Sequence, residues 1–459
     1  MRNAKRNAAK YTCSSCGCGE IGRRARFRFL WGHTHGGSIP LIRIEKSDPC
    51  GRTFLLIGAE CPPPYSWSVI YLDNNATTLP LAEVVDAMRE SLANNWGNPS
   101  SVHRFGQAAR AQLEHAREHV AQLVGCTTRE IIFCASGTES ASMALRGVLE
   151  AHPQRRVIVT SKLEHAAVRT LAQHLEAAGQ CEVIWVEHAH SGEIHLDHLR
   201  EALKKRANDI ALVSLMSVNN ETGVILPMQA VGEMCRESGV LFHTDATQSV
   251  GRHPFDVANT PIDFATFSAH KLHGPKGAAA LFARRGVGIS AQLVGGPQER
   301  DRRAGTENVP GIIGFGVAAL AARAWFNTAD MNHAAELRNE LETLIQTAIP
   351  DAIVNGVATK RIWNTTNIAF AHLEAEAILL ALSNENLCAS AGAACSSGSL
   401  DPSPVLLAMG VPPVLAHGSV RFSLSRFTTR EEIVQAATIV CDCVRKLRAR
   451  TGAAITNVK

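Results

Sequence analysis

The chain has 459 residues, of which 46% are apolar and 19% charged, so it can bury a large core over two or three domains. Its formal net charge of +4 is small for this length, and no long Lys/Arg run follows the N-terminal segment. Electrostatics therefore give no reason to expect a nucleic-acid partner. The longest apolar stretch, residues 309–326, contains Pro310, three glycines and Arg323, which makes it a poor candidate for a membrane span.

Residues 1–68 differ in composition from the rest of the chain. They hold five of the thirteen cysteines and the triple proline 62–64, and they show no sustained helical or strand period. We expect an N-terminal extension that is disordered or not native, so that the working protein begins near residue 69.

Two other interpretations of this extension stay open. Its Cys and His residues could ligate zinc, although their spacing fits no standard pair of zinc knuckles; they are Cys13, Cys16, Cys18, His33 and His35. Its basic, acid-poor start suggests a transit peptide, but the cysteines and prolines are unlike one. The later cysteines are scattered, which favours a reducing compartment and predicts a cytoplasmic protein.

From residue 70 onward, short β-branched or apolar runs alternate with longer amphipathic stretches. The predicted strands are 130–134, 156–160, 183–186, 210–216, 240–243, 264–267 and 278–282. The predicted helices are 140–151, 165–178, 196–207 and 228–237. This alternation is typical of repeated βαβ units, and it predicts an α/β domain over 69–326 with a mostly parallel seven-stranded sheet flanked by helices.

The remaining residues, 327–459, follow a different pattern. A helical period covers 334–348, short strands are expected near 367–370 and 419–424, and a final helix is expected over 430–448. We predict a smaller α+β C-terminal domain, with which the first residues of the larger domain could pack.

Three segments at the ends of predicted strands carry candidate functional groups. In the run SGTES at 136–140 a strand turns into a helix, so free backbone amides at the helix start are available to bind an anion. A plain capped turn would have the same sequence pattern. Asp245 and Lys271 each follow another strand, where ligands of open α/β sheets usually bind. Alone, the aspartate could cap a helix and the lysine could be a surface charge. Together they are the anion site, carboxylate and lysine that an enzyme using pyridoxal 5'-phosphate (PLP) requires.

The order and spacing of these segments resemble the class V aminotransferase family and, more closely, the NifS/IscS group of cysteine desulfurases. The resemblance runs from Tyr71 to about Arg448. Its clearest runs are YLDNNATT at 71–78, GNPSS at 97–101, VNNETG at 218–223, SAHKLHGPKG at 268–277, RAGTEN at 303–308 and RFSL at 421–424. It implies PLP fold type I and a homodimer.

The resemblance also implies roles for individual residues. At the cofactor ring these are Lys271 as the Schiff-base lysine, Asp245 at the pyridinium nitrogen, Gln248 and Asn220 near the ring oxygen, and His165 stacked on the ring. At the phosphate they are Thr138, Ser268 and His270, the backbone of Gly137, and Thr306 reaching the phosphate of the neighbouring subunit. Arg421 matches the clamp for the substrate carboxylate, a role that suits a bidentate guanidinium.

Residues 391–403 are small, polar and glycine-rich, which is typical of a mobile surface loop. Packing does not explain Cys395 at this place, whereas a thiolate that enters a pocket and then swings outward needs such a loop. Relative to the family pattern, Ala391 and Ala393 replace common serines, and Pro297 stands where glycine or histidine is usual. These changes remove no candidate catalytic group, but they could alter loop mobility.

The resemblance predicts a cysteine desulfurase. L-cysteine would displace Lys271 from the cofactor, Lys271 would remove the α-proton, and Cys395 would take the sulfur as a persulfide while L-alanine leaves, with His165 a candidate proton carrier. The sulfur would pass to an acceptor or iron-sulfur scaffold protein, in general iron-sulfur assembly, a nitrogenase-dedicated pathway or tRNA thiolation, and the match leans toward nitrogenase-related NifS. Cys395 could also ligate a nascent iron-sulfur cluster during transfer.

Several alternatives remain at this point. Within PLP chemistry they are a selenocysteine lyase, a desulfurase with a short rigid cysteine loop, or an ordinary class V aminotransferase; the long loop around Cys395 disfavours all three. A catalytically silent scaffold with metal-binding N-terminal cysteines is the alternative from another class.

Overall fold

The structure is a computed structural model that describes residues 27–31, 40–47, 53–56, 69–326, 331–392 and 401–451. The chain divides into two units, Met1–Ser68 and Val69–Lys459. In the first unit three antiparallel strands form one sheet in the order β1-β2-β3; they are β1 (Phe27–Trp31), β2 (Pro40–Ser47) and β3 (Thr53–Leu56). The candidate zinc ligands Cys13, Cys16, Cys18, His33 and His35 lie outside the described residues. That the extension is disordered or not native stays a prediction.

The second unit is built on a seven-stranded sheet, as predicted. Its strands are β5 (Ile131–Cys134), β6 (Val157–Ser161), β7 (Glu182–Val186), β8 (Ile210–Ser214), β9 (Leu241–Asp245), β10 (Phe264–Ser268) and β11 (Ala279–Ala283). They lie in the order β5-β11-β10-β9-β8-β6-β7, and β11 alone runs antiparallel to its neighbours. The mostly parallel arrangement is thereby confirmed.

Helices cover both faces of this sheet. They are α1 (Ala82–Asn94), α2 (Arg104–Val124), α3 (Gly137–Ala151), α4 (Ala166–Ala177), α5 (Leu196–Arg206), α6 (Met228–Glu237) and α7 (Val309–Phe326). Successive strand residues point to opposite faces: Phe133 packs in one buried cluster with residues of α2 and α7, and Ile132 packs in another with residues of α3 and α4. Because both faces are covered, the strands are apolar almost throughout.

Helix α7 accounts for the longest apolar stretch in the sequence. Within the described ranges it is the one helix long and apolar enough to cross a membrane, and half of it is buried. Its Phe315 lies between sheet residues, with ring centroids 6.3 Å from Phe133 and 6.0 Å from Phe267. Packing against the sheet therefore explains its composition.

The C-terminal residues form further helices and short strands. The helices are α8 (Met331–Ala348), α9 (Ala375–Asn384), α10 (Pro404–Ala408), α11 (Pro413–His417) and α12 (Arg430–Thr451). A four-stranded sheet has the order β12-β13-β16-β15, and β14 pairs with β4; these strands are β4 (Ile70–Tyr71), β12 (Ile353–Val354), β13 (Thr365–Ala369), β14 (Leu387–Cys388), β15 (Ser390–Ala391) and β16 (Ser419–Ser423).

These C-terminal elements have a hydrophobic cluster of their own, which also contains Ile70 and Leu72 from the start of the unit. The parallel pairing of β14 with β4 joins the same two parts of the chain. The boundary between a larger domain ending at residue 326 and a smaller one beginning at 327 stays a prediction.

Candidate active site

A cavity of about 250 Å³ opens at the carboxyl ends of the parallel strands, where five strands each deliver a polar segment. Nine of the ten residues predicted to hold a cofactor line it: Gly137, Thr138, His165, Asn220, Asp245, Gln248, Ser268, His270 and Lys271. The tenth, Thr306, is exposed and does not line it. Sequence positions up to 134 residues apart, from Gly137 to Lys271, are thus brought into one site.

One end of the cavity is suited to an anion. Helix α3 starts there, with the Ser136 side chain accepting a hydrogen bond from the Glu139 amide at 3.1 Å. A Cβ atom at Gly137 would lie 3.0 Å from Ser268 Oγ, so the absence of a side chain lets the helix approach the end of β10. Backbone amides, a helix N-terminus and the hydroxyls of Thr138 and Ser268 together form a donor set for phosphate.

Lys271 ends the short 3-10 turn Ala269–Lys271 that follows β10. Its Nζ donates to the main-chain carbonyl of Ala76 at 2.7 Å and to that of Asn75. These carbonyls come from the DNNATT run, which sequence analysis matched to the family without assigning it a role. They hold the amine at the wall of the cavity.

Asp245 is the last residue of β9 and is buried, with Oδ1 accepting from the Thr247 amide at 3.0 Å. The fully buried Glu164 lies close enough for the two charges to interact. Burial raises the pKa of Glu164 well above its ordinary value and the charge of Asp245 raises it further, although a 2.7 Å hydrogen bond from the Met216 amide opposes this. Burial beside Asp245 therefore favours the protonated form of Glu164.

The two histidines of the cavity are held differently. His165 caps the start of α4, where its Nδ1 accepts from the Ala167 amide at 3.1 Å, so the neutral ring carries its proton on Nε2. Burial lowers the pKa of His270 to about 3, and the positive charges of Lys271 and Arg252 contribute. His270 is therefore neutral at physiological pH.

Arg421, on β16, does not line the cavity but is bonded to a residue that does. Its Nη1 donates to the main-chain carbonyl of Asn220 at 3.0 Å, and its Nη2 pairs with Asp73 Oδ1 at 2.9 Å. Within the described part of the chain, Arg421 Nε and Asn220 Oδ1 are buried without a hydrogen-bond partner. Buried polar atoms are rarely left unpaired, so both are candidate contacts for a bound molecule.

Cys395 lies outside the described residues. The described residues on either side of it converge on Glu221: the Ser403 hydroxyl donates to Glu221 Oε2 at 2.5 Å, and a Cβ atom at Gly392 would overlap the same oxygen. Burial raises the pKa of Glu221, which the Ser403 hydrogen bond and the charge of Arg421 oppose.

Sequence reasoning assigned no role to several residues that shape this site: Asp73, Asn75, Glu164, Glu221 and Arg252. Three of them lie inside runs that had been matched to the family, so the signal for them was present. The cavity itself fits PLP, because it combines an anion cradle, a lysine amine and a buried carboxylate.

Comparisons with known proteins agree with this geometry. The family described as aminotransferase class-V matches residues 70–435. A cysteine desulfurase of Trichormus azollae is 46% identical over 382 residues, which are 83% of this chain and 94% of the relative. Among solved structures, a NifS-like protein is 33% identical with a TM-score of 0.76, covering 82% of this chain and all of its own. A structure of SspA in complex with cysteine is 29% identical with a TM-score of 0.68, covering 78% and 99%.

Proposed function

Because the chain belongs to the class V aminotransferase family, we infer from its site and its relatives that it is a cysteine desulfurase. It converts L-cysteine to L-alanine and transfers the sulfur to a thiol of its own. The observation that carries this conclusion is the cavity, in which Lys271, Asp245 and an anion cradle converge in a chain 46% identical to a cysteine desulfurase.

We propose PLP as the cofactor, on which this family depends. Asp245 would meet the ring nitrogen, Asn220 and Gln248 the ring oxygen, and His165 the ring face. The phosphate would be held by Gly137, Thr138, Ser268 and His270. When bound, PLP supplies an electron sink for negative charge that develops at the substrate α-carbon.

The remaining steps belong to the chain's own side chains. Arg421 binds the carboxylate of L-cysteine, and its unpaired Nε gives it a donor to spare. Lys271 takes the α-proton at Nζ, and His165 carries a proton at Nε2.

Cys395 receives the sulfur. Its thiolate attacks the substrate sulfur, the carbon–sulfur bond breaks as the sulfur–sulfur bond forms, and the electron pair and a proton remain on what becomes L-alanine. The persulfide then passes sulfur to an acceptor thiol or to an iron-sulfur scaffold protein, in general iron-sulfur or nitrogenase assembly, and Cys395 could serve there as a transient cluster ligand.

We also propose a homodimer. Thr306 is exposed and stands away from its own cavity, which supports a role at the phosphate of a neighbouring subunit. The rings of Trp96 and Phe105 are exposed and stacked, with centroids 5.7 Å apart, and Leu92 and Val102, close to them in sequence, are also exposed. Exposed apolar side chains of this kind are typical of a protein interface. Sedimentation equilibrium should give twice the chain mass, and Trp96→Glu should shift it toward the monomer.

We propose a cytoplasmic location, since the seven cysteines in the described ranges are all free thiols.

A selenocysteine lyase or another class V enzyme remains the alternative function.

Substrate and product specificity separates these functions. The PLP-loaded protein should release alanine and, with a thiol reductant, an equal amount of sulfide from L-cysteine. A selenocysteine lyase would act on L-selenocysteine alone. An aminotransferase would consume L-cysteine only with a 2-oxo acid and make no sulfide; either result would contradict the proposal.

A further inference from the structure

Arg252 is a buried cation in the turn that follows β9, with 5% of its surface exposed. Buried arginines are normally paired with a carboxylate. Arg252 forms no ion pair with any carboxylate among the residues described. Its placement therefore requires another explanation.

Its hydrogen bonds go to neutral acceptors that belong to the cavity or border it. Nε donates to the main-chain carbonyl of Lys271 at 2.9 Å. Nη1 donates to Asn75 Oδ1 at 2.8 Å and to Gln248 Oε1, while Nη2 donates to the carbonyl of Asn74. One guanidinium thus connects the lysine, a residue predicted to lie near the ring oxygen, and the loop that holds the lysine amine.

The contact with Gln248 decides which end of its amide is available. The two ends of a glutamine amide have nearly the same shape, so only hydrogen bonds determine which end points where. A guanidinium can only donate, and it therefore binds the oxygen. The amide nitrogen donates to the Asn75 carbonyl at 3.1 Å, and its second N–H is left for the cavity that Gln248 lines.

The same network holds Lys271. Asn75 receives Arg252 on its side-chain oxygen, and its main-chain carbonyl accepts from both Lys271 Nζ and Gln248 Nε2. Asn75 is itself fixed, because its amide nitrogen donates to Thr365 Oγ1 at 2.9 Å. The position of the lysine amine thus depends on contacts that Arg252 organises.

Arg252 remains charged under working conditions. Burial, and secondarily the charge of Arg421, lowers the pKa of Arg252 to about 9, which still leaves it protonated at neutral pH. Burial is the main cause of the lowered pKa values of His270 and His273, and the charge of Arg252 contributes to both.

We propose that Arg252 is a positioning residue for the cofactor: it turns the amide N–H of Gln248 toward the ring oxygen and holds Lys271 at the cavity wall. This rests on the proposed binding of PLP, but not on the desulfurase step. Arg252 touches neither substrate nor cofactor and acts through Gln248 and Lys271.

The test is a pH titration of the visible absorbance of the bound cofactor, which reports the protonation of its link to Lys271. Arg252→Met should raise the midpoint by about one unit, a tenfold change in the protonation equilibrium. The reason is that a ring oxygen without its donor holds the linkage proton more tightly. Arg252→Lys keeps a charged donor for Gln248 and should return the midpoint most of the way to the wild-type value.

A double variant isolates the route. In a Gln248→Ala background, where the amide is absent, Arg252→Met should add much less to the midpoint than it does in the wild type. A matched control is Arg338→Met, which removes another buried arginine that does not line the cavity. Arg338 donates a hydrogen bond of 2.8 Å to the Ile362 carbonyl. Its midpoint should equal that of the wild type.

Two results would overturn the inference: an Arg252→Met midpoint equal to the wild type, or the same shift with and without Gln248. If Arg252→Met does not fold, the free energy of unfolding of the apoprotein is measured by urea denaturation for Arg252→Lys, for Gln248→Ala and for the double variant. Additive effects of the two substitutions would overturn the inference. A wild type that binds no PLP contradicts both proposals. A wild type that binds PLP but makes no alanine contradicts the desulfurase proposal alone.

Discussion

Replacing Arg421 with lysine should weaken the binding of L-cysteine far more than it slows the reaction. Arg421 uses two nitrogens on Asp73 and Asn220 and keeps Nε unpaired, so the guanidinium can grip a carboxylate while it stays anchored. A lysine ammonium cannot satisfy Asp73, Asn220 and a bidentate carboxylate together.

The expected size follows from the bonds lost. One hydrogen bond to a charged group contributes about 1.5–3 kcal/mol, which corresponds to a rise in KM of about 10- to 150-fold. We expect kcat to fall by much less, because Arg421 holds the substrate in the ground state and in the transition state alike.

The assay is the steady-state rate of alanine formation over a range of L-cysteine concentrations. Arg338→Lys is the matched control, because it alters a buried arginine of the same unit away from the cavity. The cofactor absorbance of both variants should match that of the wild type. A KM within about twofold of the wild type for Arg421→Lys would refute the assignment of Arg421, since the loss of even one such bond exceeds that change.

Three further predictions concern the surroundings of the site. Gly392→Ala should reduce sulfide release at unchanged cofactor binding, because its Cβ would overlap Glu221 Oε2; equal rates for the variant and the wild type would contradict this. Glu299→Gln should lower the free energy of unfolding by about 3 kcal/mol, because it breaks the buried pair with Arg117 Nη1 at 2.7 Å; urea denaturation measures this, and a loss under about 1 kcal/mol would be too small for such a pair. Burial lowers the pKa of His243 to about 4. The free energy of unfolding should therefore be highest above pH 6.5 and should fall by up to about 3 kcal/mol as the pH drops toward 4. Urea denaturation over this pH range should show a shallower pH dependence in His243→Asn.

Much of the fold was predictable because its strands are short, apolar and separated by amphipathic helices. The seven strands of the sheet were each predicted within a few residues. The errors lie at the boundaries: α3 begins at Gly137 rather than at residue 140, because Ser136 caps it and a helix start depends on such local bonds. Six helices in the described ranges were not predicted: α1, α2, α7, α9, α10 and α11.

Some residues of the site were predictable from the sequence and others were not. Lys271, Asp245 and the run at 136–140 follow strands, so a parallel sheet places them at one edge. The roles of Arg252, Glu164 and Glu221 depend on burial and on contacts between distant segments, which periodicity does not reveal.

The most direct test of the account is a single turnover of the PLP-loaded protein with L-cysteine, followed by mass spectrometry of its peptides. We predict one added sulfur atom on Cys395 and an equal amount of alanine. In Cys395→Ala we predict neither alanine nor sulfide, although L-cysteine should still change the cofactor absorbance. Added sulfur on another cysteine, or wild-type rates of alanine and sulfide formation in Cys395→Ala, would contradict the central claim.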